Sequence, residues 1–135
     1  MNEYEEIRKA IDIYLMERFK YRRSIVYLTH NKVISTRNIS RVELYLRVQR
    51  VGYIFPPDCL IIARISFRKE RAGNGTHLAR FLSEIAVKYG FRYIGIESVN
   101  EKSKAFAEKS GFYSIDGSNY AVSVEDLTTY FQDKI

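Results

Sequence analysis

Tyr4, Ile7, Ile11, Tyr14 or Leu15, and Phe19 recur at steps of three and four residues, with Glu, Lys and Arg between them. That period draws one apolar stripe along a helix from Asn2 to about Arg22. Short β-branched runs follow at Ser24–Thr29 and Val33–Ser35. From Arg41 to Val48 the pattern becomes alternation, with Val42, Leu44, Leu46 and Val48 set against Arg41, Glu43, Tyr45 and Arg47. This is how a half-exposed strand reads. Pro56 and Pro57 interrupt the pattern, because proline cannot donate to a ladder. The next run, Cys59–Phe67, starts apolar on both sides and is expected in the middle of a sheet.

After it the period returns to helical. A helix over Thr76–Tyr89 would bury Leu78, Phe81, Leu82, Ile85 and Tyr89 and stop at Gly90. A strand over Arg92–Val99 and a short helix from Asn100 through Lys109, closed by Gly111, come next. "FYSI" and "YAVSV" flank the turn "DGSN" and predict a hairpin, and Glu125–Phe131 predicts a last helical turn. The order of elements predicts a single α/β domain over residues 1–135, built on one mixed sheet.

Charge adds a direction to this picture. Residues 1–24 carry six Lys/Arg against five Asp/Glu, residues 25–70 eight against three, and residues 71–135 eight against eight, so five of the six net positive charges fall in the middle third. Such an excess attracts phosphate-bearing partners, from a nucleotide cofactor to nucleic acid. A lone cysteine, Cys59, provides neither an internal disulfide nor a thiolate cluster for zinc and is expected as a small core residue. The two histidines, His30 and His77, lack metal-binding spacing, so no metal is expected. The longest clean apolar stretch, Cys59–Ala63, is too short to cross a bilayer, and the acidic start has no secretory pattern; the expected setting is cytoplasmic, with no membrane partner.

The chemistry centres on "FRKERAGNGTHLARFLSEIAVKYG", Phe67–Gly90. Gly73 and Gly75 stand between a strand and a helix, where absent side chains let successive N–H groups face one concavity at the positive end of the helix dipole. A pyrophosphate fits such a place, and Lys69 and Arg71 would add charge at its rim. It is not a P-loop, since Thr76-His77 follow Gly75, nor a Rossmann turn, since Leu78 holds the third glycine position.

A second stretch, "SVNEKSKAFAEKSGFYSID" from Ser98 to Asp116, completes a pattern. Glu70-Arg71-Ala72-Gly73-Asn74-Gly75, followed at the right spacings by Asn100, Ser103, Phe106, Lys109, Gly111 and Phe112, resembles the GNAT superfamily of N-acetyltransferases over about Cys59–Val124. The resemblance implies a single mixed, mostly antiparallel sheet flanked by helices, with a splayed parallel strand pair. It implies an acyltransferase that takes acetyl-CoA as cosubstrate and passes the acetyl group to a primary amine by direct attack. Backbone groups of Ala63, Arg64 and Ile65 would pair with the pantetheine arm. The loop Arg71, Ala72, Gly73, Asn74, Gly75 and Thr76 would bind the pyrophosphate, and Asn100, Ser103 and Phe106 would lie along the cofactor.

Two positions depart from the family. Ala107 stands where many members have the tyrosine that protonates the leaving thiolate, and Gly95 stands where some place a glutamate base. Glu97, Tyr113 and Tyr120 are the substitutes on offer. Glu70 occupies a Gln/Arg position, and an acid there is expected to face away from phosphate. The acceptor is left open among a protein lysine, an aminoacyl-tRNA and a small molecule, and a homodimer through an exposed sheet edge is compatible with so small a fold. Two other readings compete: a CoA-binding regulatory module without catalysis, and a small basic nucleic-acid-binding domain whose glycine loop is only a helix cap.

Overall fold

The computed structural model describes residues 2–69 and 72–133. Helix α1 (Glu3–Phe19) begins at Asn2, whose side chain accepts from the Glu5 N–H at 2.9 Å, and carries Glu3, Glu5 and Glu6 in its first turn, where acids suit the helix dipole. Four strands follow: β1 (Val26–Leu28), β2 (Val33–Thr36), β3 (Val42–Gln49) and β4 (Cys59–Phe67). Helix α2 (Asn74–Tyr89), β5 (Tyr93–Ile96), α3 (Glu101–Lys109), the hairpin β6 (Tyr113–Ser114) and β7 (Tyr120–Ser123), and α4 (Val124–Gln132) complete the chain. None of the helices is long and apolar enough to cross a membrane among the described residues.

All seven strands join one sheet in the order β1-β2-β3-β4-β5-β7-β6. Every neighbouring pair is antiparallel except β4 and β5. The expected mixed, mostly antiparallel sheet with one parallel pair is therefore present. Even-numbered strand residues Leu44, Leu46, Leu60, Ile62, Ile94 and Val122 turn to one face and join Ile7, Ile11, Leu15, Leu78, Leu82 and Leu127 of the helices in the main core. On the other face Cys59, Ile61 and Ala121 form a small cluster under Phe55.

Several boundaries differ from the sequence expectation. Helix α2 starts two residues early, at Asn74 rather than Thr76, so half of the expected loop is its first turn. The strand expected over Arg92–Val99 is cut to Tyr93–Ile96, because its parallel partner leaves it there. The last helical turn is a full helix, α4, capped by Ser123 and carrying Leu127 and Phe131 into the core. Along α1 the buried residues are Ile7, Ile11, Leu15 and, unexpectedly, Asp12. The carboxylate of Asp12 accepts the N–H groups of Ile25 at 2.8 Å and Val26 at 3.0 Å and lies 3.5 Å from Arg8. It ties the helix to the sheet edge.

Candidate active site

The site begins where β4 and β5 part. Their pairing runs from Cys59↔Tyr93 to Ile62↔Ile96, with the Glu97 N–H donating to the Ile62 carbonyl at 2.9 Å just beyond. Ala63 is the extra residue of a bulge: Tyr45 pairs with Arg64 and Leu46 with Ile62, so nothing on β3 opposes it. A bulge bends its strand and sharpens the local twist. From Ala63 onward β4 has no strand partner on the β5 side among the described residues, leaving the backbone edge of Ala63, Arg64 and Ile65 open inside the sheet. The Arg64 side chain lies on the outer face, over the Tyr45 ring and 3.8 Å from Glu43. Only its backbone belongs to the opening.

At the mouth of the opening stands the start of α2. Gly73 adopts the left-handed conformation at φ 76°, which strains any other L residue. Among the described residues no side chain caps the helix, no acid sits in its first turn, and the first intrahelical bond is His77 N–H to the Gly73 carbonyl at 3.0 Å. The N–H groups of Asn74, Gly75 and Thr76 therefore have no intrahelical acceptor. Asn74 is braced through its side chain, donating to the Lys69 carbonyl at 3.4 Å and accepting from Arg18 Nε at 2.9 Å. A Cβ on Gly75 would come within 4.0 Å of the Phe106 ring, so Phe106 borders the loop. Ala72 is exposed beside it. Arg71, and Glu70 with its expected outward orientation, lie outside the described residues.

Asn100 and Ser103 have a structural duty that the motif does not disclose. They form a capping box at α3: Asn100 Oδ1 accepts the Ser103 N–H at 2.9 Å, and Ser103 Oγ accepts the Asn100 N–H at 2.9 Å. His77, in the first turn of α2, shares a 2.6 Å hydrogen bond with the Tyr14 hydroxyl. Burial first, and then the charges of Arg18 and Arg80, lower the His77 pKa. Burial pushes Tyr14 up to about 12.

On the outer face, a pocket of about 350 Å³ is walled by Arg47, Gln49, Tyr53, Ile54, Glu97 and Asn119, among others. Glu97 forms an ion pair with Arg47. The hairpin turn helps to build this pocket: Asp116 accepts from the Ser118 and Asn119 N–H groups and from Asn119 Nδ2, and Asn119 Oδ1 accepts the Ser98 N–H at 2.9 Å. Ile54 is held at φ 61° with much of its side chain exposed. A β-branched residue is rare in that region, and such strain gathers at functional loops.

The two tyrosines separate. Tyr120 sits in the register row Ile62–Ile96–Tyr120, beside the last residue of β5 and buried on the helix-covered face. Tyr113 is on the edge strand, two strands from β5 in the row Gly95–Ala121–Tyr113, and is half exposed. The structure does not bring Tyr113 to Glu97. Burial, then Tyr93 and Cys59, raise its pKa. The absence of a glutamate at 95 has a packing cause: a Cβ there would lie 2.6 Å from the Phe55 ring and 3.2 Å from Cys59 Sγ. Ala107 is fully buried, its carbonyl accepting from the Phe112 N–H. Cys59 is a core residue, as expected, with its thiol pushed up to about 12 by burial. Among the described residues, His, Cys, Asp and Glu make no cluster able to hold a metal.

Neither a family model nor a curated protein matches the sequence. Solved structures do match the fold. A chain of the KacTA–DNA complex is 16% identical, with 93% of this chain and 86% of that one covered and a TM-score of 0.55. AtaTR bound with acetyl-CoA is 14% identical, with 91% and 86% covered and a TM-score of 0.56. A Lactobacillus plantarum protein provisionally described as an N-acetyltransferase is 18% identical, with 88% and 92% covered and a TM-score of 0.50. This chain therefore has the fold of the GNAT acetyltransferases.

Proposed function

We propose that this protein is an acetyl-CoA-dependent N-acetyltransferase that acts on a primary amine by direct attack. The observation that carries the reading is the parting of β4 from β5 at Ile62, with the uncapped glycine start of α2 at its mouth. An open strand edge suits an amide-bearing pantetheine arm, and unpartnered N–H groups at a helix start suit its pyrophosphate. Ala63, Arg64 and Ile65 take the first role through their backbones. Ala72, Gly73, Asn74, Gly75 and Thr76 take the second, with Arg71 beside them in sequence. Phe106 packs along the cofactor, and Asn100 and Ser103 hold α3 in place for it. The acetyl-CoA bound to AtaTR, a protein of the same fold, supports the choice of cosubstrate.

A thioester supplies an electrophilic carbonyl and a thiolate leaving group. The amine reaches that carbonyl from the Arg47–Glu97 pocket, its nitrogen bonding to the acyl carbon as the carbon–sulfur bond breaks. Glu97 attracts the incoming ammonium and takes its proton, directly or through water, while Arg47 keeps the carboxylate oriented. Tyr120, next to Ile96 in the sheet, gives a proton to the departing sulfur in the stead of the residue missing at 107. A free thiol has a pKa of about 8.5, so the thiolate leaves with little help and loss of this donor slows turnover only in part. Tyr113, on the sheet edge, does not line that pocket and has no part in this step.

A regulatory module that binds CoA without turnover is the second reading, favoured by the buried Ala107 and by Phe55 packed over Gly95. Thermal melting with excess acetyl-CoA separates these from a protein indifferent to CoA. At about 100 times its dissociation constant the ligand adds about 2.7 kcal/mol, raising the midpoint by several degrees. Gly73→Asp, which forces a carboxylate into the loop, is expected to abolish that shift. No shift in the parent protein sinks both CoA readings. A shift without acetylation of protein lysine, aminoacyl-tRNA or small amines leaves the regulatory module.

A further inference from the structure

The loop between β3 and β4, residues 50–58, is braced along its length. Arg50 pairs with Asp58 at 3.1 Å and the Asp58 N–H returns to the Arg50 carbonyl at 3.2 Å, which closes the loop at its base. Gln49 Nε2 donates to the Phe55 and Pro56 carbonyls at 2.9 and 3.2 Å, and the Phe55 ring is buried against Gly95. Tyr53 and Phe55 also bridge each other through their backbones. Yet the same loop holds Val51, Tyr53 and Ile54 in solvent, 81%, 78% and 57% exposed, beside a Phe55 that is only 3% exposed. The exposure is thus a property of a braced loop rather than a slack one, and Ile54 keeps its φ of 61° to sustain it. Apolar side chains fixed in solvent at a strained backbone mark a contact surface.

What touches them follows from the pocket they border. Tyr53 and Ile54 share its wall with Arg47 and Glu97, whose ion pair supplies its only charged side chains among the described residues. One carboxylate beside one guanidinium attracts a single ammonium, and a second cation on the same ligand would meet Arg47 unopposed. The polar walls are already engaged. The Gln49 amide nitrogen serves the loop carbonyls, while Asn119 accepts the Ser98 N–H through Oδ1 and donates to Asp116 through Nδ2. A hydroxyl-rich acceptor would find few free partners there. A ligand pocket usually joins a largely apolar wall to a few placed polar groups, and here the wall is Tyr53 and Ile54 and the polar group is Glu97.

We infer that the acceptor is an apolar monoamine, with its ammonium at Glu97 and its alkyl or aryl group packed on Tyr53 and Ile54. The inference rests on the acetyltransferase reading and narrows its substrate class. The ammonium gives one proton to Glu97, and its nitrogen bonds to the acetyl carbon as the carbon–sulfur bond breaks. The products are an N-acetylamine, the CoA thiol and one released proton.

The test compares acetyl transfer to phenethylamine, ethanolamine and spermidine, with saturation-transfer NMR of phenethylamine on the protein as a readout that needs no turnover. Phenethylamine should exceed both others in kcat/KM by about tenfold or more, chiefly through KM, because an apolar contact binds ground and transition states alike. Its ring protons should receive saturation from the protein. Tyr53→Ser combined with Ile54→Asn should bring phenethylamine down to the level of ethanolamine and remove the saturation. The acetyl-CoA melting shift should stay as in the parent, and the midpoint itself should hold or rise, since asparagine tolerates a positive φ better than isoleucine. Spermidine matching phenethylamine overturns the inference, as does a preference that survives the double variant. A dimer seen by light scattering and dissolved by the same substitutions gives the loop to a second copy and also overturns it. Ring saturation without any acetyl-CoA shift upholds the apolar amine site and sinks the acetyltransferase reading. An acetyl-CoA shift with neither saturation nor turnover of phenethylamine does the reverse.

Discussion

Gly95 shows how one residue can look like a lost function and be a packing requirement. The Phe55 ring fills the space where a side chain at 95 would start, with Cβ only 2.6 Å away. Restoring a glutamate there would push the ring out rather than supply a base. Gly95→Ala should destabilise by about 1–3 kcal/mol in chemical denaturation, as overpacked cores do. In a Phe55→Ala background the same substitution should cost clearly less, and equal costs in both backgrounds would refute the contact. Asp12 is the opposite case, a charge where periodicity expects an apolar stripe. Asp12→Ala would leave the Ile25 and Val26 N–H groups buried without an acceptor, and a loss of roughly 3 kcal/mol is expected from the urea midpoint. Tyr120→Phe should lower kcat with little change in KM if its hydroxyl serves the leaving sulfur; an unchanged kcat would remove it from the mechanism.

Helices α2 and α3 divide the labour at the candidate site. Helix α2 offers open N–H groups because no side chain among the described residues caps it, whereas α3 is fully capped by Asn100 and Ser103. Both motifs were legible in the sequence, but their duties differ. Asn100→Ala should cost about 1 kcal/mol of stability by loss of the cap. Its acetyl-CoA affinity should fall far less than that of Gly73→Asp, because the Asn100 oxygen is already committed to the Ser103 N–H. A drop as large as the glycine variant's would show that the side chain chiefly serves the arm. The shortening of β5 to Ile96 was not legible, because Glu97–Val99 continue the strand pattern locally; the parting of its neighbour ends the strand.

Across the whole molecule, one buried acid and one partly buried acid tie stability to alkaline pH. Cys59 and Tyr14 are each pushed up to about 12 by burial, above their ordinary values of 9.0 and 10.0. As pH rises the unfolded chain gives up these protons first, so the folded state loses ground. Stability from this source is complete below about pH 9 and declines towards pH 12, which chemical denaturation at stepped pH should show. Cys59→Ser should flatten the lower part of that decline. In the same molecule the Cys59 thiol should resist alkylation at neutral pH until the chain is unfolded, since only the thiolate reacts readily.

The sequence by itself determined the elements and their order, because period-two and period-3.6 patterns are local and survive without knowledge of neighbours. It determined the glycine loop and the Asn100–Phe112 motif for the same reason, as fixed spacings along one stretch of chain. Tertiary structure alone decided what depends on residues far apart. The Arg47–Glu97 pair joins β3 to the end of β5, Phe55 from a loop explains Gly95 on a strand, and Asp12 on α1 answers to Ile25 and Val26. The basic excess was visible as a count over the middle third, but its focus was not. Arg18 and Lys20 come from the end of α1, and only folding sets them beside Arg41, Arg68 and Lys69 in one cleft. Electrostatic fields and side-chain contacts depend on distance in space, which separation along the chain does not encode.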